Sequence, residues 1–273
     1  MDKFYVITNK DKDRDGAVSK LIASYIREKG KVCILEQEGP VSEDVDCILV
    51  LGGDGTLLRA AREMVDHNIP LLGINLGTLG YLAEIDRNSI FPALEKLFAD
   101  EYTLENRMML CGSIYHNGEE IYSDIALNDI VISRDGHIRV VRFKNYVNGE
   151  FLNEYKADGI IISTATGSTG YSLSAGGPIV SPEASLILMT PLAPHSLNKR
   201  SIILKAEDHI MVEIGPGRTD APEAACANFD GAANISMQTG DLIVIRRAEK
   251  NTKLVKINNI SFLEVLRKKM SNG

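Results

Sequence analysis

The chain opens on a short solid apolar run, Phe4-Tyr5-Val6-Ile7, and then changes rhythm, with Val18, Leu21, Ile22, Tyr25 and Ile26 recurring at helical spacing until Gly30. Val32 to Leu35 is solid again, as is Cys47-Ile48-Leu49-Val50-Leu51. A glycine turn leads from there into a helix expected to reach about His67, and Pro70-Leu71-Leu72-Gly73-Ile74 follows as the next apolar run. Solid runs alternating with amphipathic helices are the mark of strands buried on both faces, so this part reads as βαβ units on a parallel sheet. A further helix is expected from about Ser89 to Ala99. From Tyr102 the pattern becomes one of short strands and hairpins, with a His116-Asn117-Gly118-Glu119 turn and an Asn148-Gly149 turn. It continues through Ile160-Ile161-Ile162, Leu186 to Met189 and Ile210 to Ile214, and ends near Leu242-Ile243-Val244-Ile245. Ser261-Phe262-Leu263-Glu264 matches a capping box that starts a last helix, to about Lys269. The expected organisation is an α/β N-terminal domain over 1–100, to which about 250–273 return with the C-terminal helix packed on it, and a β-rich second domain over 101–249.

Composition narrows the class. The 273 residues are 44% hydrophobic and 25% charged, ordinary for a folded protein with two cores. A net charge of -7 argues against a nucleic-acid footprint, which needs clustered lysine and arginine, so an anionic ligand must be held by local groups. Cys33, Cys47, Cys111 and Cys226 lie far apart, without the spacing of a zinc site or a disulfide framework. No basic leader precedes Phe4 and no apolar run approaches the ~20 residues of a membrane span, so no membrane partner and a cytoplasmic location are expected.

Two stretches carry chemistry. Gly52-Gly53-Asp54-Gly55-Thr56 follows a buried strand and opens a helix. Its glycines let backbone N–H groups approach a ligand, and the helix start adds its positive end: a phosphate cradle. An acidic side chain repels phosphate, so Asp54 has reason to be there only if it orders a metal or takes a proton, and it is the candidate base. Asn75-Leu76-Gly77-Thr78-Leu79-Gly80-Tyr81 leaves the next strand at the same sheet edge, where ligands of open α/β sheets bind. The second stretch, Asp158 to Pro178, crowds hydroxyls and glycines into a turn directly after a buried strand. Buried hydroxyls cost free energy unless bonded, and a helix cap absorbs one or two, so this density is expected to serve a polar ligand such as a ribose, an amide or a phosphate.

With both stretches in view, the chain resembles the NAD kinases. These carry a Gly-Gly-Asp-Gly-Thr cradle, an Asn-Glu or Asn-Asp pair, here Asn128-Asp129, and an Asp-Gly strand entering a turn like Thr164 to Ser174. Order, spacing and length fit over nearly the whole chain. The resemblance implies an α/β domain plus a sandwich-like β-rich domain, and transfer of the ATP γ-phosphate to the adenosine-ribose 2′-hydroxyl of NAD, giving NADP, with Mg²⁺ or another divalent cation expected to serve the phosphates. It implies that Asp54 accepts the proton, that Gly55 and Arg59 line the cradle, and that Tyr81 faces the adenine. Asn128, Asp129, Asp158, Thr166, Thr169, Gly170, Tyr171, Ser172, Leu173 and Ser174 would hold the dinucleotide. Arg139, Lys156 and Ala193 match substrate positions partly supplied across subunits, which implies a homo-oligomer, a dimer or tetramer. Asp230 matches a second acidic position with a share in holding a metal. Ala165 stands where the family usually has Pro, Gly170 where it has Ala, and Ala232 where Gln is frequent. Plainer readings stand beside these: Arg59 as a solvated helix residue, Arg139 as a strand-face partner of a carboxylate, His195 as a structural histidine. A diacylglycerol- or sphingosine-type lipid kinase shares the cradle, and a non-catalytic NAD(P) sensor would not need Asp54. The donor, ATP or another triphosphate or polyphosphate, stays open.

Overall fold

A computed structural model describes residues 1–77, 80–136, 140–195, 199–217, 222–232, 234–258 and 260–271. The chain divides into two compact units, Met1–Arg107 joined by Lys250 onward, and Met108–Glu249. The first unit contains β1 (Lys3–Thr8), α1 (Ala17–Glu28), β2 (Val32–Leu35), β3 (Cys47–Gly52), α2 (Asp54–Glu63), β4 (Leu71–Asn75), β5 (Ile85–Asp86) and α3 (Ile90–Phe98). A long strand, β6 (Thr103–His116), carries the chain into the second unit. There follow β7 (Glu119–Ala126), β8 (Asp129–Arg134), β9 (Val141–Val147), β10 (Glu150–Ala157), β11 (Gly159–Thr164), α4 (Tyr171–Ser174), β12 (Leu186–Leu192), β13 (Ile202–Lys205), β14 (Ile210–Ile214), β15 (Ala224–Phe229) and β16 (Asn234–Gln238). β17 (Leu242–Lys256) returns to the first unit, which ends in α5 (Phe262–Ser271).

In the first unit β2, β1, β3 and β4 lie side by side and parallel, and Leu254 of β17 pairs with Leu71 of β4. Every residue of β3 and β4 is buried, as solid apolar runs require. α1 turns the expected face inward, with Ile22 and Ile26 buried and Val18 and Tyr25 packed against the same core, except that Leu21 is 56% exposed and Ser19 and Ala23 are buried instead. Ahead of the helix the buried Asp13 carboxylate accepts the Val18 and Ser19 N–H groups at 2.9 and 3.0 Å and so satisfies the helix start. α2 is shorter than its pattern suggests. It stops at Glu63, and a 3₁₀ turn, Val65–His67, ends at Asn68 with φ 54°. α5 is capped as expected, Ser261 Oγ accepting the Glu264 N–H at 3.2 Å. None of its residues is buried, and Lys269 Nζ stands 5.4 Å from the centre of the Tyr81 ring.

The second unit is antiparallel. One sheet runs β13-β12-β11-β8-β15-β16, and β10, β9, β14 and the first part of β17 run together in the other, where β6 pairs with β17 and β7 with β6. Ile132, Ile160 and Ile162 from the first sheet share a core with Phe143, Val212, Ile243 and Ile245 from the second. Each such side chain contributes about 1.5–3 kcal/mol by leaving water. Among the described residues no helix is long and apolar enough to cross a membrane.

Candidate functional site

Parallel strands deliver their C-terminal ends to one edge of the first unit's sheet, and the cradle is built there. Gly52 ends β3 and Asp54 is the first residue of α2. The Thr56 side chain lies over Gly52 so closely that a Cβ on residue 52 would meet its Oγ1 at 2.2 Å. Asp54 Oδ2 accepts the Tyr81 N–H at 2.8 Å and Oδ1 accepts the Leu82 N–H at 3.2 Å. The loop after β4 therefore holds the carboxylate of the loop after β3. Gly80 makes that approach possible, since a Cβ there would fall 1.9 Å from Asp54 Oδ1. Asn75 Oδ1 accepts the Gly77 N–H at 2.8 Å and shapes the same loop. Gly55 is exposed beside an open cleft of about 450 Å³ lined by Thr8, Asn9, Lys10, Glu36, Thr56 and Arg59. Arg59 is exposed and reaches Glu36 at 3.4 Å and Glu63 at 3.3 Å. Tyr81 is half-buried, with its ring toward Lys269.

In the second unit β11 and β15 flank β8 in the opposite sense, so their C-terminal ends meet its N-terminal end. This brings Asn128, Asp129, the Thr164–Gly170 turn and Asp230 together. Thr164 donates its N–H to the Asn128 carbonyl at 2.9 Å and its hydroxyl to the Leu127 carbonyl at 2.7 Å. Asp230, with φ 51°, accepts the N–H groups of Leu127, Asn128 and Asp129 at 2.7, 2.9 and 3.0 Å, and its own N–H returns to the Asp129 carbonyl at 3.1 Å. Asp129 is 6% exposed; burial first, and the Asp230 charge second, push its carboxyl up to about 7. Asn128 Oδ1 is buried and without a partner. A methyl on Gly170 would stand 3.3 Å from Asn128 Nδ2, so glycine leaves that amide uncrowded.

The hydroxyl turn corrects the sequence argument. It forms a 3₁₀ turn, Thr166–Thr169, followed by α4, and most of its side chains bond within the protein. Ser168 Oγ donates to the Val180 carbonyl and accepts the Val180 N–H, Thr169 Oγ1 donates to the Thr166 carbonyl at 3.3 Å, and Ser172 meets Thr190 at 3.1 Å. Leu173 is half-buried, and Tyr171 and Ser174 are exposed. The expected residues also fall into two groups. Asp158, bonded through Oδ1 to Arg134 Nε at 3.1 Å, lies with Lys156 and Ala193 (φ 45°) at the other end of β11. The His195 backbone N–H donates to the Lys156 carbonyl at 2.7 Å. Arg139 lies outside the described residues. Asn9 was missed; it stands right after β1 at the cradle's edge, the signal that was available.

A glycine cradle with one held aspartate on a parallel sheet, and in the β-rich unit an open amide acceptor, are the parts of a phosphotransferase acting on a nucleotide. Residues 17–102 match the ATP-NAD kinase N-terminal domain and residues 127–257 the ATP-NAD kinase C-terminal domain. An NAD kinase of Lachnospira eligens is 47% identical over 99% of this chain and 100% of its own length. An NAD kinase of Agathobacter rectalis is 48% identical over 100% and 99%. The fold is that of a yeast NADH kinase complexed with NADH, at TM-score 0.81, 24% identity and coverage of 99% of this chain and 88% of that one. It is also that of an NAD kinase from Archaeoglobus fulgidus in complex with ATP, at TM-score 0.78, 24% identity and coverage of 99% and 100%. The chain belongs to the NAD kinase family and is an enzyme that phosphorylates NAD. The lipid-kinase and sensor readings find no support in these matches.

Proposed function

We propose that the protein transfers the γ-phosphate of ATP to the 2′-hydroxyl of the adenosine ribose of NAD, giving NADP, with Asp54 as general base. The observation that carries this is the held carboxylate: each Asp54 oxygen takes one N–H from the opposite loop, which aims the group and leaves lone pairs free to accept a proton. A ribose hydroxyl is a weak acid, so attack on phosphorus proceeds as its proton passes to a carboxylate within hydrogen-bond reach. Gly53, Gly55 and the α2 start face the phosphates with N–H groups and the helix dipole. Magnesium is bound in such sites by one or two carboxylates together with substrate phosphates, and a single carboxylate at a phosphate cradle fits that pattern. Asp54 would hold it, and the ion would neutralise phosphate charge.

Asn128, Asp129, Thr166 and the segment Thr169 to Ser174 hold the dinucleotide. The unpartnered Asn128 Oδ1 supports this, because a buried acceptor without a donor is costly until a ligand amine or hydroxyl reaches it. Asp230 serves the backbone rather than a metal: its two oxygens fix the Leu127, Asn128 and Asp129 N–H groups. Lys156, Asp158 and Ala193 serve a site completed across subunits of a homo-oligomer.

NADP formation from NAD, ATP and Mg²⁺ tests the reaction, and Asp54→Asn tests the base. The variant keeps size and reach but takes no proton, so kcat falls by roughly 10² to 10⁴ while NAD affinity holds. Parental turnover in Asp54→Asn at every Mg²⁺ concentration sinks this mechanism.

A further inference from the structure

The cradle as described lacks a cation of its own. From Gly52 to Thr56 the one charged side chain, Asp54, is an anion, Arg59 one turn on is paired with Glu36 and Glu63, and a polyphosphate bound there meets the Asp54 charge in addition to its own. The fold brings a lysine to this place from a distant part of the chain. The Lys12 ammonium stands 3.0 Å from where a Cβ on Gly53 would be and 3.4 Å from where one on Gly77 would be. It therefore occupies space that two glycines, one in the loop after β3 and one in the loop after β4, leave open. Among the described residues it makes no hydrogen bond or ion pair.

That position is built by the loop between β1 and α1. The Asn9 N–H continues the sheet to the Leu51 carbonyl at 2.8 Å, and Asn9 Nδ2 donates to Thr56 Oγ1 at 3.3 Å, which ties the loop to the cradle itself. Asn9 Oδ1 accepts the N–H groups of Asp11 and Lys12 at 3.0 and 3.2 Å, and the Asn9 carbonyl accepts those of Lys12 and Asp13 at 3.1 and 2.9 Å. On the far side, the buried Asp13 carboxylate fastens the loop to the start of α1. Lys12 is thus fixed at its backbone and free at its head. An exposed lysine without a carboxylate partner, held over glycine N–H groups at a helix start, has the chemistry of a phosphate-binding point charge.

Resting on the functional reading above, we infer that Lys12 is the donor-phosphate cation of this enzyme, binding the transferred phosphoryl group in the cradle. The adjoining cleft toward Lys10 and Arg59 gives the rest of the donor room. The test compares parent, Lys12→Met and Lys12→Arg, all at an exposed position where folding is not at stake. Titration calorimetry with inorganic tripolyphosphate is expected to show Lys12→Met weakened by about ten- to a hundredfold, the usual loss for a hydrogen bond to a charged group. NAD affinity stays parental, kcat/KM for ATP falls by a similar factor, and Lys12→Arg recovers most of both. Equal tripolyphosphate binding by parent and Lys12→Met, whether tight or undetectable, overturns the inference, as does an arginine variant no better than methionine. A parent that makes no NADP overturns the functional reading instead, and the tripolyphosphate comparison still decides Lys12.

Discussion

Asp129 shows how one buried side chain sets a property of the site. Its carboxyl, ordinarily at 3.8, is raised to about 7 by burial and by Asp230, so near neutral pH it is protonated in a sizeable share of molecules and can donate as well as accept. The folded state then binds more protons than the unfolded chain between those two values. Stability consequently falls as pH rises through that window and is flat outside it. The full cost is of order 4 kcal/mol at about 1.4 kcal/mol per pH unit. Between pH 5 and 8 the parent's Tm is expected to drop by roughly 5–10 °C more than that of Asp129→Asn. Parallel Tm curves for the two proteins would show that Asp129 titrates at its ordinary value.

At the scale of elements, the meeting of β8, β11 and β15 depends on one close approach. A Cβ on Gly167 would lie 2.1 Å from the Asn128 carbonyl oxygen, in a turn whose Gly167 N–H is already held by Thr164 Oγ1 at 3.0 Å. Gly167→Ala must push Asn128 aside. We expect a loss of about 1–3 kcal/mol in stability, typical of overpacking, together with weaker NAD binding by calorimetry. A variant with parental melting and parental NAD affinity would place the dinucleotide elsewhere. Legibility follows the same division between local and distant. The strands and cradle of the first unit could be read because solid runs and glycine turns are local patterns, and Ser261 capped its helix for the same reason. The hydroxyl turn was misread because its partners, Val180 and Thr190, lie well along the chain and cannot be seen in the turn itself. The inward face of α1 was legible from its spacing, with Leu21 the exception. Lys12 carries no motif, and only the folded geometry shows what it stands next to.

For the whole molecule, the division of the expected substrate residues into two groups is the fact to explain. Asn128, Asp129 and Thr166 stand at one end of β11, and Lys156, Asp158 and Ala193 at the other, a six-residue strand away. At about 3.4 Å per residue that is roughly 17 Å. Two groups that far apart along one strand are economically used when each serves a different bound dinucleotide, which a two-fold assembly provides because its contacts are reciprocal. A homo-oligomer in sedimentation is the first expected outcome. Complementation is the sharper one, since Asp54→Asn and Asp158→Ala alone should each be impaired. Co-expressed, they should form mixed dimers in which one site pairs a native Asp54 with the neighbour's native Asp158. Random mixing of the two in a dimer restores about a quarter of the parental sites, and activity with them. If every site were made within one chain, no mixed dimer could contain a fully native one. The co-expressed pair would then be no more active than the mean of the two variants, and the shared-site assembly would have to be abandoned.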